Sequence, residues 1–189
     1  MKVGLIGEAP LDTLAIKTLL LKKYPNLEFV ELLKNKITGA SLENQKTKTA
    51  IRLECSSHKP NIVIFIRDLD GLFTLKYREQ ILKRKTYFKE FKGSTLIQEK
   101  TLFLLNVWEL EALILSDINC FNVFYNCEVE FNDNPMEVIE PKEYLYSLHN
   151  KYSNSHNSKI LEKSNFETIY NNCEYFRKFI NKFEDLLAS

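Results

Sequence analysis

The acidic residues of this chain stand where a hard divalent cation would need them. Glu8 closely follows a short apolar run, and Asp12 stands four residues further on. Asp68 and Asp70 come directly after the apolar run IVIFI at 62–66. Glu109 and Glu111 follow a third run at 102–107, with Asp117 further along. Carboxylates packed together repel and resist joint ionisation. A metal ion removes that penalty, and Mg2+ or Mn2+ prefers oxygen ligands. Asp68 and Asp70, two residues apart on a strand-exit turn, reach one ion region. Glu8 and Asp12 lie one helical turn apart if the helix starts early, so both can face one ion. Two such ions about 4 Å apart suit an in-line phosphoryl displacement. Each acid also has a plainer reading. Asp12 fits a helix N-cap or first turn, Glu109 fits a first-turn acid favoured by the helix dipole, and an Asp-x-Asp in a loop is often a turn.

The elements that must position these acids alternate. KVGLIG at 2–7 reads as a buried strand ending in a turn. Residues 12–24 carry apolar positions near helical spacing, and Pro25 stops them. Residues 27–33 read as a second strand, 34–39 as a polar loop and 41–57 as a polar helix. The run at 62–66 is the clearest buried strand and fits the middle of a parallel sheet. A surface helix over 77–87, a strand over 102–107 and a helix starting at 109–116 follow. The order predicts an α/β fold, a mostly parallel sheet with helices on both faces. In such a sheet ligands bind beyond the carboxyl ends of the strands, where the acids gather. After about residue 130 the pattern turns helical, over 142–150, 158–162 and 167–187, with the polar stretch NKYSNSHNS read as a loop. The expected organisation is an α/β core over 1–130 and a helical C-terminal extension over 131–189 packed on it.

Composition narrows the class. The chain has 189 residues, 44% of them hydrophobic and 27% charged, which is enough for a core without staples. Lys plus Arg number 26 and Asp plus Glu 25, for a net charge of +1. That balance excludes a highly basic nucleic-acid-coating protein and an acidic disordered tail. It leaves room for an enzyme that segregates its charges by face. The 5 glycines argue against a glycine-rich phosphate cradle. Cys55, Cys120, Cys127 and Cys173 form no CxxC pair, so zinc is disfavoured and free thiols in a reducing cytoplasm are expected. No apolar run approaches the roughly 20 residues of a membrane span, and no signal peptide is read at the start. The C-terminal aromatics, Tyr170, Tyr175, Phe176, Phe179 and Phe183, read as core or a partner face.

A strand ending in Glu8, a later strand ending in Asp68-x-Asp70, and the parallel α/β order resemble a Toprim domain. The Glu8-x-x-x-Asp12 spacing is similar to that of overcoming-lysogenization-defect-type nucleases. Within Toprim proteins the closest resemblance is to small stand-alone DUF4276 or RloB-like proteins. Their acid-x-Glu-Ala segment after the fourth strand reads here Glu109-Leu-Glu111-Ala112. Glu140-Pro-Lys-Glu-Tyr-Leu resembles their Asn-Pro-Lys helix start. Cys173-Glu-Tyr-Phe176-Arg-Lys-Phe179 resembles their terminal Cys-x-x-Phe-x-x-Phe helix. The likeness runs from Val3 to about Phe183, and its strength lies in the order of short motifs. Two positions depart: Leu113 stands where the family usually has Trp, and Ala9 where it commonly has Gly.

The resemblance implies Mg2+- or Mn2+-dependent phosphodiester hydrolysis, most plausibly of DNA. Glu8 would be a metal ligand or general acid/base, and Asp68 and Asp70 metal ligands, with Asp12 and Glu111 completing the coordination. A basic residue is also needed to stabilise the negative charge developing on phosphate. Lys159, Arg67 and Arg177 are the candidates, with His156 as a proton carrier. Such proteins stand beside an ATPase partner in bacterial anti-phage or mobile-element systems. Two alternatives remain open. IVIFIRDLDG also resembles motif one of haloacid-dehalogenase-type phosphatases, with Asp68 as nucleophile and Asp70 as general acid/base. The chain could otherwise be a non-catalytic Toprim-like binding or regulatory module.

Overall fold

Four apolar runs become strands: β1 (Lys2–Ile6), β2 (Glu28–Glu31), β3 (Ile62–Leu69) and β4 (Thr101–Val107). They pair in parallel in the order β2-β1-β3-β4. The computed structural model describes residues 1–7, 9–33, 44–69 and 75–189, without the side chains of 75–78. The chain places β2 on one side of β1, then β3 and β4 on the other. The carboxyl ends of β1 and β3 therefore flank a topological switch point, the usual ligand crevice of an open parallel sheet.

The helices are α1 (Pro10–Lys23), α2 (Gln45–His58), α3 (Leu75–Lys92), α4 (Glu111–Leu115), α5 (Ile118–Tyr125), α6 (Pro141–Leu148), α7 (Asn157–Glu162), α8 (Phe166–Asn172) and α9 (Glu174–Leu187). Strand side chains alternate between two faces. Val3, Leu5, Ile62, Ile64, Ile66 and Leu104 pack with α1 and the C-terminal helices. Ile6, Val63 and Phe65 pack with Ile51 and Cys55 of α2 and Tyr87 and Phe91 of α3. Both faces of β3 are buried, which explains its unbroken apolar run. On α9, Phe176, Phe179, Ile180 and Phe183 recur at helical spacing and face inward. Phe183 meets the Tyr24 ring edge-on at 5.3 Å, so the C-terminal helices share one core with α1 and the sheet.

The structure revises several boundaries. β3 runs on through Arg67, Asp68 and Leu69, where the sequence suggested an exit turn, because β4 is long enough to pair with it as far as Leu69↔Val107. Asp12 is a first-turn residue, with Ala9 at the N-cap and Pro10 opening the helix. Gly7 has a specific need for its missing side chain, since a Cβ there would lie 2.5 Å from Thr13 Oγ1. The single helix expected over 167–187 is two, broken at Cys173, which is extended and fully buried. Asn172 donates to the Ser116 carbonyl at 2.9 Å, which ties the break to α4. The stretch NKYSNSHNS is not all loop, since Asn154–His156 form a 3-10 turn that leads into α7. The expected loop at 34–39 and the start of the helix expected at 41–57 lie outside the described residues. Cys55, Cys120 and Cys173 are buried free thiols and Cys127 is half-buried. Burial pushes the Cys55 and Cys173 thiols up to about 11, so neither is a reactive thiolate near neutral pH.

Candidate functional site

Asp68 sits on the last turn of pairing between β3 and β4, opposite Asn106. Asn106 is fully buried and donates from Nδ2 to Asp68 Oδ1 at 2.8 Å. That bond turns the amide oxygen of Asn106 away from the carboxylate, and the oxygen is buried without a hydrogen-bond partner. By strand alternation Asp68 shares its face with Ile64 and Ile66, the face covered by α1 and the C-terminal helices.

The chain leaves β4 through Trp108, which is almost buried and held at φ 66°, a left-handed value that strains a bulky residue. A bridge between Leu69 and Trp108 holds the ends of β3 and β4 together. The turn delivers Glu109 and Glu111. Glu111 is 5% exposed at the start of α4. Its Oε1 accepts from Tyr152 Oη at 3.1 Å and from Asn157 Nδ2 at 2.9 Å. Tyr152 Oη also lies 2.9 Å from Asn157 Oδ1, closing a buried triangle. Glu111 Oε2 makes no hydrogen bond to the described residues. Burial and the Glu111 charge drive the Tyr152 hydroxyl strongly upward, so it stays a neutral donor. Burial first, then Cys173, and last the charges of Asp68 and Glu111 push the buried Tyr175 hydroxyl of α9 well up. Glu109 lies beside them. Burial first, and then the neighbouring Glu111, push its carboxyl up to about 7, against the Lys142 backbone N–H that donates to Oε2 at 3.2 Å.

The other residues singled out in the sequence lie in different settings. Glu8 and Asp70 are outside the described residues. Asp12 is half-buried in the first turn of α1. Arg67 is 2% exposed on the opposite face of the sheet from Asp68, with its guanidinium 5.2 Å from the Tyr87 ring centroid. Lys159 is exposed and lines a surface groove with Thr18, Leu21 and Lys22. It follows Asn157 by two residues, about 200° around α7, so it points away from the side that reaches Glu111. His156 Nδ1 lies 2.8 Å from Tyr125 Oη, and its ring packs on Phe124. Arg177 donates to the Asn171 carbonyl at 2.9 Å and lines a polar cleft of about 610 Å³ with Asp117, Asn119 and Asn172. Neither Asp68 nor Glu111 lines that cleft. Asp117 is a buried anchor: its Oδ2 accepts from the Asn165 backbone N–H at 2.6 Å and so holds the start of α8. Burial holds its carboxyl above the ordinary value, offset in part by that bond and by Lys22.

The structure thus brings Asp68, Glu109 and Glu111 to one rim and adds Asn106, Tyr152 and Asn157, which the sequence did not single out. Asn106 is polar inside the apolar run LFLLNV, the one signal that could have revealed it. Tyr152 and Asn157 lie in a polar stretch with no periodicity, where only the fold distinguishes an inward residue from its neighbours. The carboxylates of Asp68 and Glu111 are oxygen donors, which suit Mg2+ or Mn2+ and not a thiophilic metal, while the amide oxygen of Asn106 is turned away from Asp68. Among the described residues no group of three or more His, Cys, Asp or Glu side chains is placed to hold a metal ion. Glu8 and Asp70, which adjoin β1 and β3 in sequence, lie outside the residues so searched. Comparison of the chain with known protein families, curated proteins and solved structures gives no match. Among the described residues, no helix is long and apolar enough to cross a membrane.

Proposed function

We propose that the protein is a Toprim-like, Mg2+- or Mn2+-dependent phosphodiester hydrolase acting on nucleic acid. The observation that carries this reading is that Asp68 near the end of β3 and Glu111 just after β4 stand at the carboxyl ends of adjacent parallel strands, beside the switch point. Asp68 and Glu111 would hold the ion with Glu8 and Asp70, and Asp12 would support them from the first turn of α1. The bound ion would polarise the phosphate and lower the pKa of an attacking water. The chain's own contribution is to hold Asp68 through Asn106, and to hold Glu111 by its Oε1 through Tyr152 and Asn157. The hydrogen bonds keep each carboxylate in one orientation, and burial of Glu111 excludes bulk water from its bonded oxygen. An ATPase partner and a role in anti-phage defence or mobile elements are part of the same proposal, and they rest on the resemblance alone.

The test is incubation of the purified protein with plasmid and single-stranded DNA in Mg2+ or Mn2+, beside Asp68→Asn, Glu111→Gln and Glu8→Ala. The expected result is cleavage by the native protein and a loss of at least about 100-fold in each variant. Equal cleavage by Asp68→Asn would sink the site. Full activity of Glu8→Ala on a small phosphate monoester, with none on DNA, would favour the phosphatase reading instead.

A further inference from the structure

The net charge of +1 conceals a strong separation by face. Helices α2 and α3 together carry ten Lys and Arg against three Asp and Glu, a net of +7. The rest of the chain therefore carries −6. Residues 109–143 alone hold nine Asp and Glu against one Lys, a net of −8. The two helices cover the same face of the sheet, with Ile51, Cys55, Tyr87 and Phe91 turned inward. They adjoin one another, since Lys48 Nζ of α2 lies 3.3 Å from Glu90 Oε2 of α3. Arg52, Lys85 and Lys89 are exposed on their outer side.

We propose that the outer face of α2 and α3 docks the phosphate backbone of a nucleic-acid duplex. The proposal deepens the hydrolase reading and rests on it for the identity of the polyanion. Charge complementarity is the first argument, because a duplex is a regular array of phosphates and Lys and Arg supply its sequence-independent affinity. Length is the second. The 18 residues of α3 span about 27 Å, or about eight base pairs of duplex rise. Chemistry is the third. Over residues 79–92 the aromatic side chains are turned towards the sheet, so this described part of α3 offers unpaired bases no aromatic platform. A membrane is disfavoured because a helix lying on lipid presents a continuous apolar face, and here the exposed Leu53 has Thr49, Ser56 and Ser57 as helix neighbours and the exposed Leu82 has Glu79 and Lys85.

The experiment measures binding of a short labelled DNA duplex by fluorescence anisotropy in EDTA, over a range of salt. The variant Arg52→Glu/Lys85→Glu/Lys89→Glu is compared with Lys163→Glu/Lys178→Glu/Lys182→Glu, which changes the net charge equally on the C-terminal helices. Circular dichroism confirms that both fold. The first should lose at least about tenfold in affinity, with a salt slope shallower by roughly 0.9 per lost phosphate contact. The second should lose less than about threefold by the same electrostatics. Equal losses in the two, no loss in the first, or native binding to anionic vesicles but not to duplex would overturn the proposal. Loss of duplex binding in the first variant, with no cleavage by the native protein in any metal, would leave this surface standing and sink the hydrolase reading. Cleavage by the native protein with duplex affinity unaffected in the first variant would do the reverse.

Discussion

Glu111 is a buried acid held at one oxygen by two long-range partners. Tyr152 and Asn157 bind its Oε1 from a segment more than forty residues away in sequence. Tyr152→Phe removes one donor and leaves Glu111 and Asn157 under-satisfied, so it should cost about 1–3 kcal/mol in urea unfolding. Asn157→Ala should cost a similar amount, and the double variant less than the sum of the two, because they share one network. Additive losses would show that the triangle is not a unit. Glu109 makes a pH prediction. Its ordinary pKa of 4.5 is raised to about 7 in the folded chain, chiefly by burial and next by Glu111. Its contribution to stability is thus fully present below about 4.5 and is lost as pH rises through about 7. Glu109→Gln should match the native protein at pH 5 and exceed it at pH 8 by about 1–2 kcal/mol, after allowance for solvent screening. Metal-free unfolding at the two pH values checks this, and a difference of opposite sign would refute it.

At the scale of elements, period-two and period-3.6 patterns made the sheet legible. All four strands and α1 to α3 overlap the expected segments, with β2 shorter at Glu28–Glu31 and α3 longer at Leu75–Lys92, and β3 is the plainest because burial on both its faces leaves little choice of residue. The ends were less legible. Asp68 looked like a turn residue because RDLDG is polar, yet pairing with β4 carries the strand through it. The break between α8 and α9 was hidden because Cys173 is apolar and the phenylalanine spacing runs on past it. Packing against Ser116 and the Asp117 anchor at Asn165 decide that break, and both are long-range. Phe183→Ala should cost about 3–5 kcal/mol, as for other buried aromatics. It should lower the single unfolding transition of the whole chain, because Phe183 packs in the core shared by α1 and the sheet. A separate early transition confined to the C-terminal helices would contradict that shared core.

Across the whole molecule, a near-zero net charge is the sum of a basic helical face and an acidic run that includes the rim residues Glu109 and Glu111. The sequence pointed to acids at strand ends and to basic residues elsewhere, but it did not say that α2 and α3 lie on one face. That follows from the sheet order, which sends both crossovers after β2 to the same side. It also did not separate Lys159, Arg67, Arg177 and His156 from the acids, because each is near a motif in sequence and turned elsewhere in space. The central claim is that the acids at the edge of β1, β3 and β4 form a divalent-cation site. Its most direct measurement is the melting temperature of the native protein and Asp68→Asn across a Mn2+ titration. A real site predicts a Tm that rises with the logarithm of Mn2+ concentration in the native protein and stays flat in Asp68→Asn. No rise in the native protein at millimolar Mn2+, or an equal rise in both, would contradict it.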